Sequence, residues 1–362
     1  RIFQVYPTQE TGYNMKTSLV QSIMYNILLA SSSRGFVRNC LPANHLSASF
    51  AASTNKLFST ASETDQENAA QNHTEPFSPW DPVRLAEKAQ KRNNAYRARQ
   101  HVNPLASKFQ QPTVLTPNWP HDTFDDLSKP LFLDIGCSRG GFLIDMATTQ
   151  LEQKQGDESN QYLQQDYNYL GLEIRPIVIY HAQQRLEKLE GGDASSLKGK
   201  LGFVGCNANV DLERLLQLLQ DSNQDDDLLN LQMVTIQFPD PHFKARHAKR
   251  RVVRPELVTT LARFMPPGST VWLQSDIQSV LDDMRLQFRL QSQYFRDSIS
   301  PEIDISVNDN DNDDDDEAEP ILLDYVEENI LGVPTEREVS VMNRDLPVYR
   351  ALFTRTDAPF SD

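Results

Sequence analysis

Cysteine is scarce in this sequence, and long apolar runs are absent from it. The 362 residues include three cysteines, Cys40, Cys137 and Cys206, which are far apart and form no CxxC pair. Their number and spacing exclude a disulfide scaffold and a structural zinc cluster, and we expect no bound metal. Because no run reaches about 18 apolar residues, the sequence encodes no membrane-spanning helix, and we expect no membrane partner.

Positive charge is also in the minority, with 35 Lys and Arg against 50 Asp and Glu and a formal net charge of −15. The acid is unevenly spread, since residues 304–328 contain 12 carboxylates and no Lys or Arg. Leaving that stretch out moves the balance from −15 to −3. The total charge alone would argue against a nucleic-acid partner, but the local charge is the better guide.

Acidic residues are missing altogether from residues 11–62, where Ser and Thr are abundant and four basic residues occur. This composition is typical of an organellar transit peptide, for a chloroplast or a mitochondrion. The alternative is an ordinary tail on a cytoplasmic or nuclear protein. We predict that residues 1–80 form a disordered tail, and that residues 81–130 form a basic N-terminal extension kept irregular at 111–130 by prolines.

From residue 131 onward, short apolar runs alternate with longer amphipathic stretches, which predicts an α/β fold with a mostly parallel central sheet flanked by helices. We assign residues 131–362 to this domain, with an acidic insertion near 304–320. The predicted strands are 131–135, 168–174, 201–205, 231–238, 269–275 and 347–355. The predicted helices are 140–149, 176–190, 209–220, 254–264 and 277–291. Four polar stretches read as loop insertions: 153–166, 191–199, 221–227 and 304–320.

The first predicted strand leads into a glycine turn, Asp134-Ile-Gly136-Cys-Ser-Arg-Gly140-Gly141. Such a turn lets a ligand approach the backbone closely, and the following helix offers free N–H groups. The spacing is GxxxGG rather than the GxGxxG of dinucleotide-binding loops, which disfavours an NAD-dependent oxidoreductase. A tight turn without a ligand is the alternative.

The second and third predicted strands also end in polar residues, Glu173 and Asn207. A carboxylate can accept hydrogen bonds from both hydroxyls of a ribose, and the Asn207 amide could contact an adenine edge. Asn207 could equally cap the next helix. The carboxyl ends of parallel strands meet at one edge of a sheet, so these residues would share a crevice.

The fourth strand ends in a rigid Pro239-Asp240-Pro241 turn, which is followed by a dense run of basic residues. Two flanking prolines would restrict the backbone around the Asp240 carboxylate. We call the following run the basic strip; it comprises Lys244, Arg246, His247, Lys249, Arg250, Arg251 and Arg254. A solvated charge run would be more mixed in sign, and a membrane-surface helix would need an apolar face. The strip therefore favours a nucleic-acid partner.

Taken together, several segments resemble the tRNA (guanine-N7)-methyltransferases. They are DIGCSRGGFL from Asp134, GLEIR from Gly171, FPDPHFKARHAKRR from Phe238, Ser275-Asp276 and PTERE from Pro334. The resemblance spans about residues 97–355. It implies a Rossmann-like class I methyltransferase fold, S-adenosylmethionine as cofactor and tRNA as substrate. Asn207 and TERE stand where many bacterial members have Asp and TKFE, and both resemble plant and cyanobacterial relatives.

The resemblance also implies roles for individual residues. Asp240 corresponds to the active-site aspartate, and Asp134 would lie beside the methionine part of the cofactor. The implied cofactor contacts are Asp134, Gly136, Glu173, Ile174, Asn207 and Ala208. The expected substrate contacts are Lys244, Arg246, His247, Lys249, Arg250, Arg251, Asp276, Thr335, Glu336, Arg337 and Glu338. His101, Asn103 and Pro104 resemble an N-terminal element near the tRNA.

Two other functions remain open at this point. A methyltransferase for a different substrate would not need the basic strip, and a non-catalytic tRNA-binding protein would not need Asp240 and Glu173. The resemblance favours a single-polypeptide enzyme, although some eukaryotic relatives work with a scaffold subunit.

Overall fold

The computed structural model describes residues 78–90, 102–153, 160–190, 195–223, 229–243, 245–299 and 324–361. All of them belong to one compact unit, Asn72–Asp362. The predicted transit peptide, the acidic insertion at 304–320, His101 and Lys244 lie outside the described residues.

A seven-stranded sheet carries the fold in the order β3-β2-β1-β4-β5-β7-β6. The first five strands in the chain are parallel to one another, whereas β7 runs antiparallel to both of its neighbours. The strand order reverses between β1 and β4, so a crevice opens at their carboxyl ends. The strands are β1 Leu131–Ile135, β2 Asn168–Glu173, β3 Leu201–Gly205, β4 Leu231–Gln237, β5 Thr270–Ser275, β6 Phe295–Asp297 and β7 Tyr349–Arg355.

Helices pack on both faces of this sheet. They are α1 Pro82–Gln90, α2 Gly141–Gln153, α3 Gln161–Gln164, α4 Pro176–Glu190, α5 Ala208–Ser222, α6 Pro255–Phe264, α7 Gln278–Arg289 and α8 Glu336–Met342. Short 3-10 helices occur at Ser107–Phe109, Ser195–Leu197 and Ala245–Arg250. In the described part of the chain, none of the helices has the length and apolar character needed to cross a membrane.

The predicted α/β fold and mostly parallel sheet are confirmed, and the predicted strands and helices match within a few residues at each end. Two predicted loops differ from expectation, because each contains a short helix with a buried leucine. Leu163 in α3 and Leu197 in the Ser195–Leu197 turn are both buried. A single apolar residue in a polar stretch gives too little periodicity to indicate a helix, yet it is enough to attach one turn to the core.

The core consists of two apolar clusters, and it includes residues from before β1. One cluster contains Phe132 of β1 and Trp272 of β5, both fully buried. Trp80 and Phe109 join that same cluster, while Phe124 joins the other. The described residues before β1 therefore pack against the sheet domain, since three large aromatic side chains anchor them: Trp80, the last residue of the predicted tail, and Phe109 and Phe124 of the basic N-terminal extension.

A buried ion network attaches the short strand β6 to helix α7. Arg285 and Arg289 both donate to Asp297 Oδ2, at 2.7 and 3.1 Å for the nearest atoms. Arg285 also donates to the carbonyl of Asp324 at 2.8 Å, and its guanidinium lies over the Tyr325 ring. Charges this deeply buried are tolerated because the carboxylate and both guanidinium groups satisfy one another.

Candidate active site

The glycine turn after β1 is tight, as its sequence predicts. Gly136, Ser138 and Gly140 all have positive φ, at 95°, 52° and 71°. A Cβ at Gly140 would lie 2.3 Å from the Phe203 ring, whereas nothing lies within 4 Å of a Cβ built at Gly136. Gly140 therefore permits close packing of the turn on β3, and the space beside Gly136 is open for a ligand.

Glu173, at the tip of β2, is buried and fully engaged. Its two carboxylate oxygens accept from the Ser138 N–H at 3.1 Å and from the Arg175 N–H at 2.8 Å. The Arg175 guanidinium adds hydrogen bonds of 2.8 and 3.0 Å. Burial lowers the pKa of Arg175, but its pairing with Glu173 outweighs that effect and leaves the pKa raised. A ribose that binds Glu173 must therefore displace Arg175 hydrogen bonds.

Asn207, at the tip of β3, caps helix α5 and also holds the N-terminal extension. Its Oδ1 accepts from the Asn209 N–H at 3.2 Å, which confirms the capping alternative. Its Nδ2 donates to the carbonyls of Pro104 and Phe109 at 3.3 and 3.1 Å. Because its amide hydrogens are used in this way, Asn207 shapes the crevice by bringing Pro104 over it.

The turn after β4 projects Asp240 into the crevice. Phe238 adopts a left-handed backbone with φ of 49°, and its N–H donates to the Gln274 carbonyl at 2.7 Å. A bulky residue in this conformation is uncommon and indicates a turn held by its surroundings. Asp240 follows, half-buried between its two prolines.

Asp134, near the end of β1, lies beneath the crevice and is only 4% exposed. It accepts a hydrogen bond of 2.7 Å from the Thr235 hydroxyl on the neighbouring strand. Burial raises its pKa to about 7, an effect that the Thr235 hydroxyl and the nearby Gln237 amide oppose and that Glu173 reinforces. This carboxyl group therefore titrates close to neutral pH in the free protein.

Two cavities meet along the carboxyl ends of the strands. The first, of about 130 Å³, is lined by the predicted Glu173, Ile174, Asn207 and Ala208 and by Val102 and Pro104 of the extension. The second, of about 570 Å³, is lined by Asp134, Asp276 and residues 335–337 among others. The residues shared by both cavities are Gly136, Arg175, Gln237, Phe238, Pro239 and Asp240. Asp240 therefore lies at their junction.

The far wall of the second cavity is built by α8. Arg337 pairs with Asp276, which follows β5, and both residues line the cavity. Thr335 and Glu338 form a capping box that starts the helix. The Glu338 carboxylate points away from the cavity lining: it is buried and accepts from Arg350 at 2.7 Å and from Asn329 at 2.9 Å. Glu338 therefore stabilises the start of α8, which positions Thr335, Glu336 and Arg337 at the cavity.

The basic strip divides into anchored and unanchored members. Arg251 pairs with Asp283 of α7, while Arg254 contacts Asn209 at 2.9 Å and Glu256 at 3.6 Å. His247 faces His242 edge-on. Within the described ranges, Arg246, Lys249 and Arg250 have no acidic partner, and Arg246 and Lys249 are exposed. These three cations are the ones that the fold leaves available to a polyanion.

Several site residues carry no signal that sequence reasoning used. Trp80 donates from Nε1 to the Ile174 carbonyl at 3.2 Å, and it packs on Gly205 and Phe109. Arg175 was visible inside the GLEIR segment, and Gln237 directly precedes the FPDP turn, but neither position has a pattern that assigns a role. Among the described residues, no cluster of three or more His, Cys, Asp or Glu could hold a metal ion.

A mostly parallel sheet with the order 3-2-1-4-5-7-6, a glycine turn after β1 and acidic tips along its carboxyl edge define a class I methyltransferase. The family described as "Putative methyltransferase" matches residues 128–304. The chain is 42% identical over 262 residues to the tRNA (guanine-N(7)-)-methyltransferase of Synechococcus elongatus, covering 72% of this chain and 98% of that protein. It is 39% identical to the enzyme of the same name from Microcystis aeruginosa, covering 71% of this chain and 97% of that protein.

The chain therefore belongs to the tRNA (guanine-N7)-methyltransferase family, as its sequence segments predicted. Among solved structures, the aminoglycoside resistance methyltransferase NpmB1 is similar, with 15% identity and a TM-score of 0.34, covering 65% of this chain and 89% of that one.

Proposed function

We propose that this protein transfers a methyl group from S-adenosylmethionine to guanine N7 in tRNA, at a guanosine of the variable loop. The observation that carries the proposal is the position of Asp240. It lies where the two cavities meet, next to the start of the basic strip. A carboxylate is thus placed between a cofactor crevice and a polyanion-binding surface.

The residues present fit the cofactor. Glu173 suits the two hydroxyls of a ribose, which would replace hydrogen bonds from Arg175. The cavity beside Glu173 is lined by Ile174 and Ala208 together with the Asn207 side chain. Gly136 leaves open space beside the backbone, and Asp134 lies under the second cavity, where the methionine part would extend. When bound, the cofactor supplies an electrophilic methyl group on a sulfonium.

Guanine N7 carries a free lone pair, so the reaction needs no general base. The task of this chain is to hold the base about 3 Å from the methyl group and in line with it, which alone supplies several kcal/mol of the barrier. The product purine is cationic, and a carboxylate beside the ring stabilises the charge as it develops. Asp240 or Asp276 serves that purpose, and the other accepts hydrogen bonds from guanine N1–H and its amino group.

The tRNA is held chiefly through its phosphates. Arg246, Lys249 and Arg250 lack acidic partners in the described part of the chain, so they can pair with phosphate groups without breaking an internal ion pair. RNA shape and an accessible, unstacked base provide the choice of a single guanosine. Lys244, which is outside the described residues, belongs to the same strip by sequence.

The test compares the wild type with Asp240→Ala. Nucleosides from tRNA incubated with the purified chain and S-adenosylmethionine are analysed by mass spectrometry for N7-methylguanosine. We expect the wild type to form it and the variant to lose turnover by at least about a hundredfold, since it lacks the group that stabilises the charge of the transition state. Cofactor binding, measured by calorimetry, stays within about twofold of wild type.

The alternative outcomes are distinct. A protein that binds tRNA but transfers no methyl group is a non-catalytic binder, and methylation at another atom or on another substrate indicates a different methyltransferase. Activity of the chain alone supports a single-polypeptide enzyme, whereas activity only with an added subunit contradicts it. The composition of residues 11–62 supports an organellar location, which fractionation of cells with a tagged full-length protein checks.

A further inference from the structure

The side-chain amide of Gln237 is buried next to the crevice without a well-formed hydrogen bond. Gln237 is the last residue of β4 and lines both cavities. Its Nε2 and Oε1 atoms are shielded from solvent, and neither makes a hydrogen bond of good geometry to a described residue, although the amide lies near enough to Asp134 to lower the pKa of that carboxyl group. Buried amides are nearly always paired, so an amide that lies beside a carboxyl group without a well-formed bond indicates a donor for the ionised form of that carboxyl group.

The ionisable group next to this amide is the carboxyl group of Asp134. Register pairs Asp134 of β1 with Thr235 of β4, and Gln237 lies two residues further along the same strand, on the same face. The Thr235 hydroxyl already donates to Asp134 at 2.7 Å. Gln237 therefore extends the row of donors at the carboxyl end of the sheet, towards the open crevice.

The other ionisable groups around Asp134 come from two neighbouring segments. Glu173 of β2 raises the pKa of Asp134, and the buried Cys137 thiol lies in the turn after β1. Arg175 is the nearby cation, but both of its carboxylate bonds go to Glu173. Asp134 thus has no cation of its own in the described chain, and its one well-formed hydrogen bond there comes from the Thr235 hydroxyl.

We propose that Gln237 is a positioning residue for the methyl donor: its amide donates to the Asp134 carboxylate and holds it ionised against the ammonium of the donor's methionine part. The proposal rests on the cofactor placement given under the proposed function. It adds that Gln237 keeps Asp134 ionised, and it predicts that binding of the methyl donor depends on pH. Because Asp134 is half protonated near neutral pH, donor binding requires the loss of a proton and strengthens as the pH rises.

The variant that tests this role is Gln237→Met, which keeps the length of the side chain and removes both amide atoms. Two probes are titrated by calorimetry. S-adenosylhomocysteine carries the amino acid part, and 5′-methylthioadenosine lacks it. If Gln237 lowers the pKa of Asp134 by about one unit, the variant binds S-adenosylhomocysteine about tenfold more weakly than the wild type near pH 6. Near pH 8.5, where Asp134 is mostly ionised in both proteins, the loss of affinity is less than about twofold. Affinity for 5′-methylthioadenosine is unchanged at both values.

Gln232→Met is the matched control, because Gln232 lies at the other end of β4 and pairs with Asn230 at 2.7 Å. It leaves both affinities at the wild-type value. At pH 6, where Asp134 is mostly protonated, the free Gln237→Met protein keeps the wild-type melting temperature, whereas the loss of a purely structural glutamine would lower it. Gln237→Leu repeats the measurement if the methionine variant fails to fold.

Three results would overturn the proposal: equal losses for the two probes, an affinity loss that does not depend on pH, or no loss at all. A wild type that binds neither probe would instead overturn the cofactor placement itself. The two failures are therefore distinguishable.

Discussion

Asp134 and Glu173 are two buried acids at the ends of neighbouring strands, and they differ in the number and charge of their hydrogen-bond donors. Glu173 accepts four hydrogen bonds, including a pair from Arg175, so its charge is compensated. Asp134 accepts one, from a neutral hydroxyl, so burial dominates and raises its pKa to about 7. At the scale of single residues, the crevice contains one carboxylate that is paired with a guanidinium and one whose charge changes near neutral pH.

The raised pKa of Asp134 predicts how the stability of the free protein depends on pH. Its folded-state pKa of about 7 exceeds the ordinary value of 3.8, so the folded state binds more protons than the unfolded state between these values. The free energy of unfolding therefore falls as the pH rises from about 4 to about 7, by up to roughly 4 kcal/mol. In Asp134→Asn this component is absent.

Thermal unfolding of both proteins across that range checks the prediction. The melting temperature of Asp134→Asn rises relative to that of the wild type as the pH increases. Bound S-adenosylhomocysteine reduces this difference in melting temperature. Two parallel stability curves would show that Asp134 does not titrate as stated.

At the scale of elements, sequence reasoning located the strands from their apolar runs and the crevice from the polar residues at their ends. It could not find β6, because three residues carry no periodicity. It also assigned Glu338 to the substrate, because the sequence alone does not distinguish an exposed glutamate from a buried one that caps a helix. Only the fold shows that Glu338 faces Arg350 and Asn329. Contacts between residues distant in sequence, such as Trp80 with Ile174, have no local pattern at all.

Helix α8 provides a prediction about the second cavity. Glu338→Ala leaves the Arg350 guanidinium buried without its carboxylate and removes half of the capping box, so we expect a loss of about 3–5 kcal/mol in the free energy of unfolding. Glu336→Ala, two positions earlier and exposed, changes it by less than about 0.5 kcal/mol. Denaturation with urea measures both. Equal effects of the two substitutions would contradict the role given to Glu338.

At the scale of the whole molecule, charge is sorted between regions. The net charge of −15 includes an acid-rich stretch at 304–328, whereas Arg246, Lys249 and Arg250 stand together beside the crevice. A polyanion is therefore attracted locally even though the net charge of the protein repels it, and each phosphate contact adds to the salt dependence of binding because it releases a counterion.

The salt dependence of tRNA binding tests this arrangement. Lys249→Gln removes one exposed cation that has no acidic partner in the described ranges, so the slope of log K against log salt concentration becomes about one unit less steep. Lys198→Gln, near the amino end of β3 and thus at the opposite edge of the sheet, leaves the slope unchanged. Filter binding or fluorescence anisotropy at several salt concentrations gives both slopes. If Lys198→Gln changed the slope as much as Lys249→Gln does, the tRNA would not bind at Arg246, Lys249 and Arg250.

Arg285 has a consequence for how this chain can change over evolutionary time. The Arg285 guanidinium binds Asp297, just before residues 300–323, and the carbonyl of Asp324, just after them, so the two segments that flank those residues are held together. The entropy of closing a loop grows only with the logarithm of its length. Insertions and deletions within residues 300–323 are therefore expected to cost little stability, whereas replacing Arg285 releases both flanking segments.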